Sequence, residues 1–236
     1  MILPSLPNRG SHLTLTRRIV AEFIGSAMLL AAVVGSGIMG ERLAGSNVAI
    51  ALLANTVATG AALAALILTF GSISGAHFNP AVTLADAALG GRLWREVPAY
   101  IVAQVVGAFT GVAIAHVMFG LPLFFASHHQ RSGGRQVFAE FVATFGLLAT
   151  IWGCVKFHSQ AVTAFAVASY IMAAYWFTSS TSFANPAVTL ARSMSDTFAG
   201  IRPIDAPLFI VAQLAGAGAA TLLFRWLVPK LPKAKL

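Results

Sequence analysis

Charge is what this chain has least of. Only 9% of its 236 residues are Asp, Glu, Lys or Arg, where a soluble domain carries about a quarter. That poverty excludes a fully water-exposed domain. With 58% hydrophobic residues and apolar runs that repeatedly reach about 20 residues, the solvent is a bilayer. Cysteine is nearly absent: Cys154 stands alone, which excludes an internal disulfide, and its apolar run makes it a packing residue rather than a reactive thiol. Acidic residues number 7 against 15 basic ones, for a net charge of +8. No nucleic-acid partner is needed to explain this excess, because the basic residues gather near span ends and tails. Residues 1–16 lack the apolar core and cleavage site of a secretory signal, so the first span is expected to serve as an uncleaved insertion signal. No nucleophile–base pair, metal-ligand spacing or cofactor loop occurs. Enzyme activity, a metal and a cofactor are therefore not expected.

What the chain does have is a repeated heptapeptide. Asn-Pro-Ala-Val-Thr-Leu-Ala stands at residues 79–85 and again at 185–191, each time after a Gly/Ser/Thr-rich approach. Asn is a favoured N-cap, and Pro fits the first turn of a helix, where its missing N–H costs nothing. Each copy therefore starts a short helix. The apolar stretches that follow, 79–89 and 185–198, are too short to cross a bilayer and read as re-entrant segments. Six longer spans are expected at about 17–39, 47–70, 97–119, 136–157, 161–177 and 206–228. Span one carries Ala21-Glu22-Phe23 and span four Ala139-Glu140-Phe141; span three carries Ala103-Gln104 and span six Ala212-Gln213. The chain is thus an all-α membrane protein, six transmembrane helices plus two re-entrant half-helices, built as a 3+3 repeat. Repeat one covers about 17–119 and repeat two about 136–228. Together they form a single domain over 17–228, with tails at 1–16 and 229–236. Three crossings per half force the second repeat to insert upside down, which brings a site to the midplane at the ends of the broken helices.

Placing the N-terminus in the cytoplasm puts ten of the 15 Lys and Arg residues on that side, leaving Arg42, Arg131, Arg135, Arg192 and Arg202 on the other. Both termini are therefore expected inside. The two half-helices then enter from opposite faces, with N-termini meeting near the midplane. Each N-terminus offers unpaired N–H groups and about half a positive charge, an arrangement that repels protons and cations. Asn79 and Asn185 can supply paired donors there. The irregular segments before them, 75–78 and 182–184, would line a cavity with carbonyl acceptors. Central donors and a wall of acceptors suit water and neutral hydroxylated solutes.

These features resemble the major intrinsic protein family, the aquaporins and aquaglyceroporins. The likeness spans essentially the whole chain: six spans, two half-helices, Ser-Gly-Ala-His-Phe before the first motif, and paired Asn79-Pro80-Ala81 and Asn185-Pro186-Ala187. The resemblance implies a passive channel in the cell (plasma or inner) membrane, a right-handed helix bundle and a homotetramer with one pore per subunit. It implies that Glu22 and Glu140 brace the re-entrant loops. His77 either buttresses its loop or touches solute. Gln104 and Gln213 are expected to bond between helices. His128 and His129 read as a solvated loop pair, with metal binding the weaker alternative.

The family's outer constriction, counted back from the two Asn residues, falls here on Thr59, Ala173, Ser182 and Val188. Water channels typically have Phe and His at the first two positions. Nearly all members have Arg at the last, and here Val188 repeats the Val82 of the first copy. Such a filter should be wide and lack its usual fixed charge. It would admit glycerol and other polyols, urea, metalloid hydroxides such as arsenite or antimonite, and organic or methylated oxyacids, besides water. A water-selective aquaporin is the alternative, which these four residues oppose. An ion channel or proton-coupled transporter would need intramembrane charges beyond Glu22 and Glu140. Arg192 lies one helical turn after Val188, on the same face. Two readings stand for it: a vestibule charge, or an ion pair with Asp196. Its counterpart in the first copy is Asp86.

Overall fold

The structure, a computed structural model, describes residues 13–228. The expected tails lie outside these residues except for 13–16. Eight α-helices follow in order: α1 (Leu15–Leu43), α2 (Val48–Ser74), α3 (Pro80–Ala88), α4 (Val97–Met118), α5 (Gly134–Phe157), α6 (Gln160–Phe177), α7 (Pro186–Arg192) and α8 (Ala206–Leu227). Among the described residues no strand forms, and six helices are long and apolar enough to cross a membrane. The two short ones, α3 and α7, are the half-helices. The second ends at Arg192, and the remainder of the expected re-entrant stretch, to residue 198, is not helical, because Ser193 to Gly200 turn back and hydrogen-bond to the end of α7 and to the α4–α5 loop.

Local chemistry sets the helix ends. Thr14, Asn47, Asn79, Ser159 and Asn185 cap N-termini with their side-chain oxygens. Pro80 and Pro186 occupy the first turns of α3 and α7. Gly75 closes α2 at φ 95°, a left-handed conformation that glycine adopts without penalty.

The packing repeats as the sequence does. α1 lies against α4 in the first half as α5 lies against α8 in the second, and α2 against α6 joins the halves. Between apolar helices in lipid, association depends on close van der Waals approach. A Cβ on Gly107 would collide with the Phe23 carbonyl, and one on Gly216 with the equivalent Phe141 carbonyl. Small residues therefore set both helix pairs at close range. Outward faces carry exposed Val, Leu, Ile and Phe, such as Val102, Val106, Phe165 and Val211.

Candidate solute pathway

The half-helices meet tip to tip. Asn79 Nδ2 donates to the Ala184 carbonyl and Asn185 Nδ2 to the Phe78 carbonyl, each at 2.8 Å. Each Asn Oδ1 accepts from its own helix: from Ala81 N for Asn79, and from Ala187 N and Val188 N for Asn185. The amide orientation is thus fixed, as the sequence required for donation. One amide proton of each Asn, however, binds the opposite loop, which leaves the second for the cavity.

The segments leading into both tips follow one backbone path. Ala76 and Phe78 have φ 48°, and their counterparts Ser182 and Ala184 have φ 51° and 48°. Such left-handed non-glycine residues cost about 1–3 kcal/mol each and need support. Buried carboxylates supply it. Glu22 accepts from His77 N at 3.0 Å, Phe78 N at 2.7 Å, Ser74 Oγ at 2.6 Å and Gln104 Nε2 at 2.8 Å. Glu140 accepts from Phe183 N and Ala184 N, both at 2.9 Å, and from Gln213 Nε2 at 2.6 Å. Gln104 and Gln213 each also donate to a half-helix threonine, Thr83 or Thr189. These interhelical bonds are the ones expected of the two glutamines.

A cavity of about 170 Å³ runs past the Asn pair. Toward one end it is lined by Thr59, Tyr175, Ser182, Val188 and Arg192, and it also contacts His77, Val82, Asp86, Trp152 and Thr163. Three of the four expected filter positions, Thr59, Ser182 and Val188, line it. Ala173 does not: it is exposed on the outer face of α6. The inward face of α6 runs through Ala164, Val167, Ile171 and Tyr175 at helical spacing. Position 173 lies across the helix from that stripe, and Tyr175, on the stripe, lines the cavity instead, its hydroxyl donating to Thr59 Oγ1 at 3.4 Å. Counting back from Asn185 assumed a fixed connection length, whereas the period carried forward from Ile171 picks out Tyr175. Ser182 Oγ is buried without a partner among the described residues and stands on the cavity wall.

Arg192 is 2% exposed. Its Cζ sits 3.4 Å from the centre of the Phe183 ring, and its Nε donates to the Ala199 carbonyl. Of the two readings of Arg192, the ion pair with Asp196 does not form. Asp196 accepts instead from His128 N at 2.8 Å and His128 Nδ1 at 3.0 Å, on the exposed loop surface. These bonds hold the Asp196 carboxyl below the usual carboxylate range. The loop histidine is committed to that carboxylate.

Two buried arginines escaped the sequence reading. Arg92 donates to the Ser74 carbonyl at 2.9 Å and lies 3.7 Å from the Tyr100 ring centre. Arg131, from the α4–α5 loop, donates to the Ser180 carbonyl at 3.2 Å and to Gly200 O at 2.7 Å. Ser74 and Ser180 are equivalent positions of the two repeats, five residues before each Asn. Their carbonyls are held by arginines from unrelated parts of the chain, so no repeat in the sequence marks them.

Comparison with known proteins agrees with this architecture. The family model described as major intrinsic protein matches residues 9–163 and 155–235. The chain is 55% identical over 214 residues to the aquaglyceroporin AqpS of Rhizobium meliloti, covering 91% of each. It is 32% identical to the aquaporin NIP1-4 of Oryza sativa, covering 87% of this chain and 75% of that one. The X-ray structure of the aquaglyceroporin from Plasmodium falciparum shares the fold, with a TM-score of 0.67 at 22% identity, over 92% of this chain and 97% of the other. With its six membrane-length helices and twin capped half-helices, the chain belongs to the major intrinsic protein family.

Proposed function

We propose that the protein is a passive channel for small neutral hydroxylated solutes, glycerol-like polyols and metalloid hydroxides such as arsenite or antimonite, together with urea and water. The observation that carries this is Val188 on the cavity wall, where the resemblance leads one to expect an arginine. A valine there leaves room and removes a fixed donor. Thr59, Ser182 and Tyr175 complete a mixed filter of hydroxyls and one ring. The 55% identity to an aquaglyceroporin supports the same solute class.

Arg192 supplies charge near this filter, from one turn further along the half-helix. Its guanidinium faces the vestibule, anchored by Phe183 and Ala199, and orients dipolar solutes such as organic or methylated oxyacids in their neutral, protonated form. The paired Asn79-Pro80-Ala81 and Asn185-Pro186-Ala187 tips form the central constriction. There the half-helix dipoles and one amide proton from each Asn favour neutral acceptors over cations. Glu22 and Glu140 brace the loops, and His77 stands in the same cavity wall. The protein acts as one channel domain in the cell membrane, with both termini cytoplasmic, and assembles as a homotetramer.

The test is reconstitution in liposomes, with light scattering after jumps in glycerol, urea, arsenite or an impermeant osmolyte. Glycerol and arsenite flux above that of empty liposomes is expected. Passage of water alone would overturn the wide-filter reading.

A further inference from the structure

The cavity end opposite Arg192 holds a polar group that the filter account leaves unused. Asp86 is 4% exposed and lines the cavity. Its Oδ2 accepts no hydrogen bond among the described residues. The nearest nitrogens stand off: His77 Nε2 is 3.8 Å away and Arg92 Nε 3.9 Å, both beyond hydrogen-bond reach. Arg92 balances the charge while its terminal nitrogens go to Ser74 O and Glu96. Asp86 thus combines a place on the cavity wall with a charge-balanced carboxylate oxygen that no protein group among the described residues satisfies.

The tautomer of His77 follows from its neighbours. The Gln104 amide nitrogen lies 2.8 Å from a Glu22 carboxylate oxygen and 2.9 Å from Thr83 Oγ1, so Gln104 donates to both. The single hydroxyl proton of Thr83 goes to the Asn79 carbonyl at 3.1 Å. With that proton on the Asn79 carbonyl, Thr83 Oγ1 accepts from His77 Nδ1, 3.1 Å away, and we assign the proton of neutral His77 to Nδ1 on this network. In neutral His77, Nε2 is then bare. It borders the same cavity as Asp86.

We propose that Asp86 and His77 Nε2 form an acceptor-only solute subsite, which takes the hydroxyl protons of neutral polyhydroxylated solutes and turns back anions. This rests on the channel reading above. The pathway then presents donors at Arg192 and the two Asn amides, and acceptors at Asp86 and His77. A hydroxyl group satisfies both in turn, since it accepts at one end and donates at the other. An anion finds donors at the Arg192 end but meets a carboxylate with nothing to offer it at the other. Charge exclusion, weakened where Val188 stands, is thereby shared between the two ends.

The test uses the full-length protein in liposomes at neutral pH, comparing wild type, Asp86→Asn and Asp86→Glu. In Asp86→Asn the glycerol-to-water flux ratio is expected to fall about threefold to tenfold, the size of one hydrogen bond net of its exchange with water. Formate permeability is expected to rise above the empty-liposome level, and Asp86→Glu to restore both toward wild type. An unchanged ratio together with unchanged formate exclusion would overturn the subsite. Absence of glycerol flux in wild type would instead overturn the channel reading. Independently of any variant, the ¹⁵N shifts of His77 in the wild-type protein should report the Nδ1–H tautomer and move on addition of glycerol. A proton on Nε2, or shifts indifferent to glycerol, would contradict the proposal.

Discussion

The two halves of this protein share a backbone and differ in chemistry. Two residues before each Asn stands His77 in one half and Phe183 in the other; seven residues after each stands Asp86 or Arg192. The Phe183–Arg192 pair is closed, with the guanidinium stacked on the ring. The His77–Asp86 pair is open, with 3.8 Å between nitrogen and oxygen. Equivalent scaffolding therefore places an arginine on the cavity wall in one half and a carboxylate in the other. Both halves agree at Val82 and Val188, where the family resemblance leads one to expect them to differ.

The comparison can be broken most severely at the carboxylates that hold the loops. Glu22→Ala strands the His77 and Phe78 N–H groups, and Glu140→Ala those of Phe183 and Ala184. Each orphaned buried donor costs about 1–3 kcal/mol. Both variants should lose several degrees of thermal stability in detergent. The first half should suffer more, because Ser74 also donates to Glu22 and has no counterpart on Glu140. Equal losses would mean that the Ser74 bond contributes nothing.

A smaller effect is expected at the tips. Asn185→Ala removes the cap of α7 and leaves the Phe78 carbonyl unpaired. A lost cap costs about 0.5–2 kcal/mol. Asn79→Ala should cost a similar amount through Ala184, and a thermal melt of both variants checks the equivalence. Within α6, Tyr175→Ala should raise glycerol flux measured by light scattering, while Ala173→Leu, on the exposed face, should leave it as it is. The reverse pattern would return the filter position to 173. The smallest effect lies on the loop after α7. Asp196, whose carboxyl is held below its usual range by His128, adds stability that is present above the ordinary carboxylate pKa and is lost as pH falls through the lowered one. Hydrogen-exchange protection in residues 193–200, relative to the intrinsic rate at each pH, should therefore fall only in acid, and His128→Ala should lower it at neutral pH.

Much of this was legible in the sequence, and the reason is repetition. Twin Asn-Pro caps fix the starts of α3 and α7, because each half confirms the other, whereas the bracing by Glu22 and Glu140 was implied by the family resemblance. Helix ends lay within a few residues of expectation, except at α7. There the turn after Arg192 is held by bonds to distant loop residues such as Ser127 and Phe125, which no local pattern reveals. Arg92 and Arg131 were silent for the same reason: their targets are carbonyls, and a carbonyl leaves no mark on the sequence. Asp196 misled because one-turn spacing with Arg192 suggests a pair only where the helix continues, and α7 stops between them.

On the proposed function, the pathway is wide because the second motif keeps valine where the family resemblance leads one to expect an arginine. Val188→Arg, reconstituted beside wild type, tests it most directly through the ratio of glycerol to water flux. A marked fall in that ratio, with water still conducted, is the expected result. A glycerol flux as high as that of wild type would show that position 188 is not at the constriction and would contradict the account.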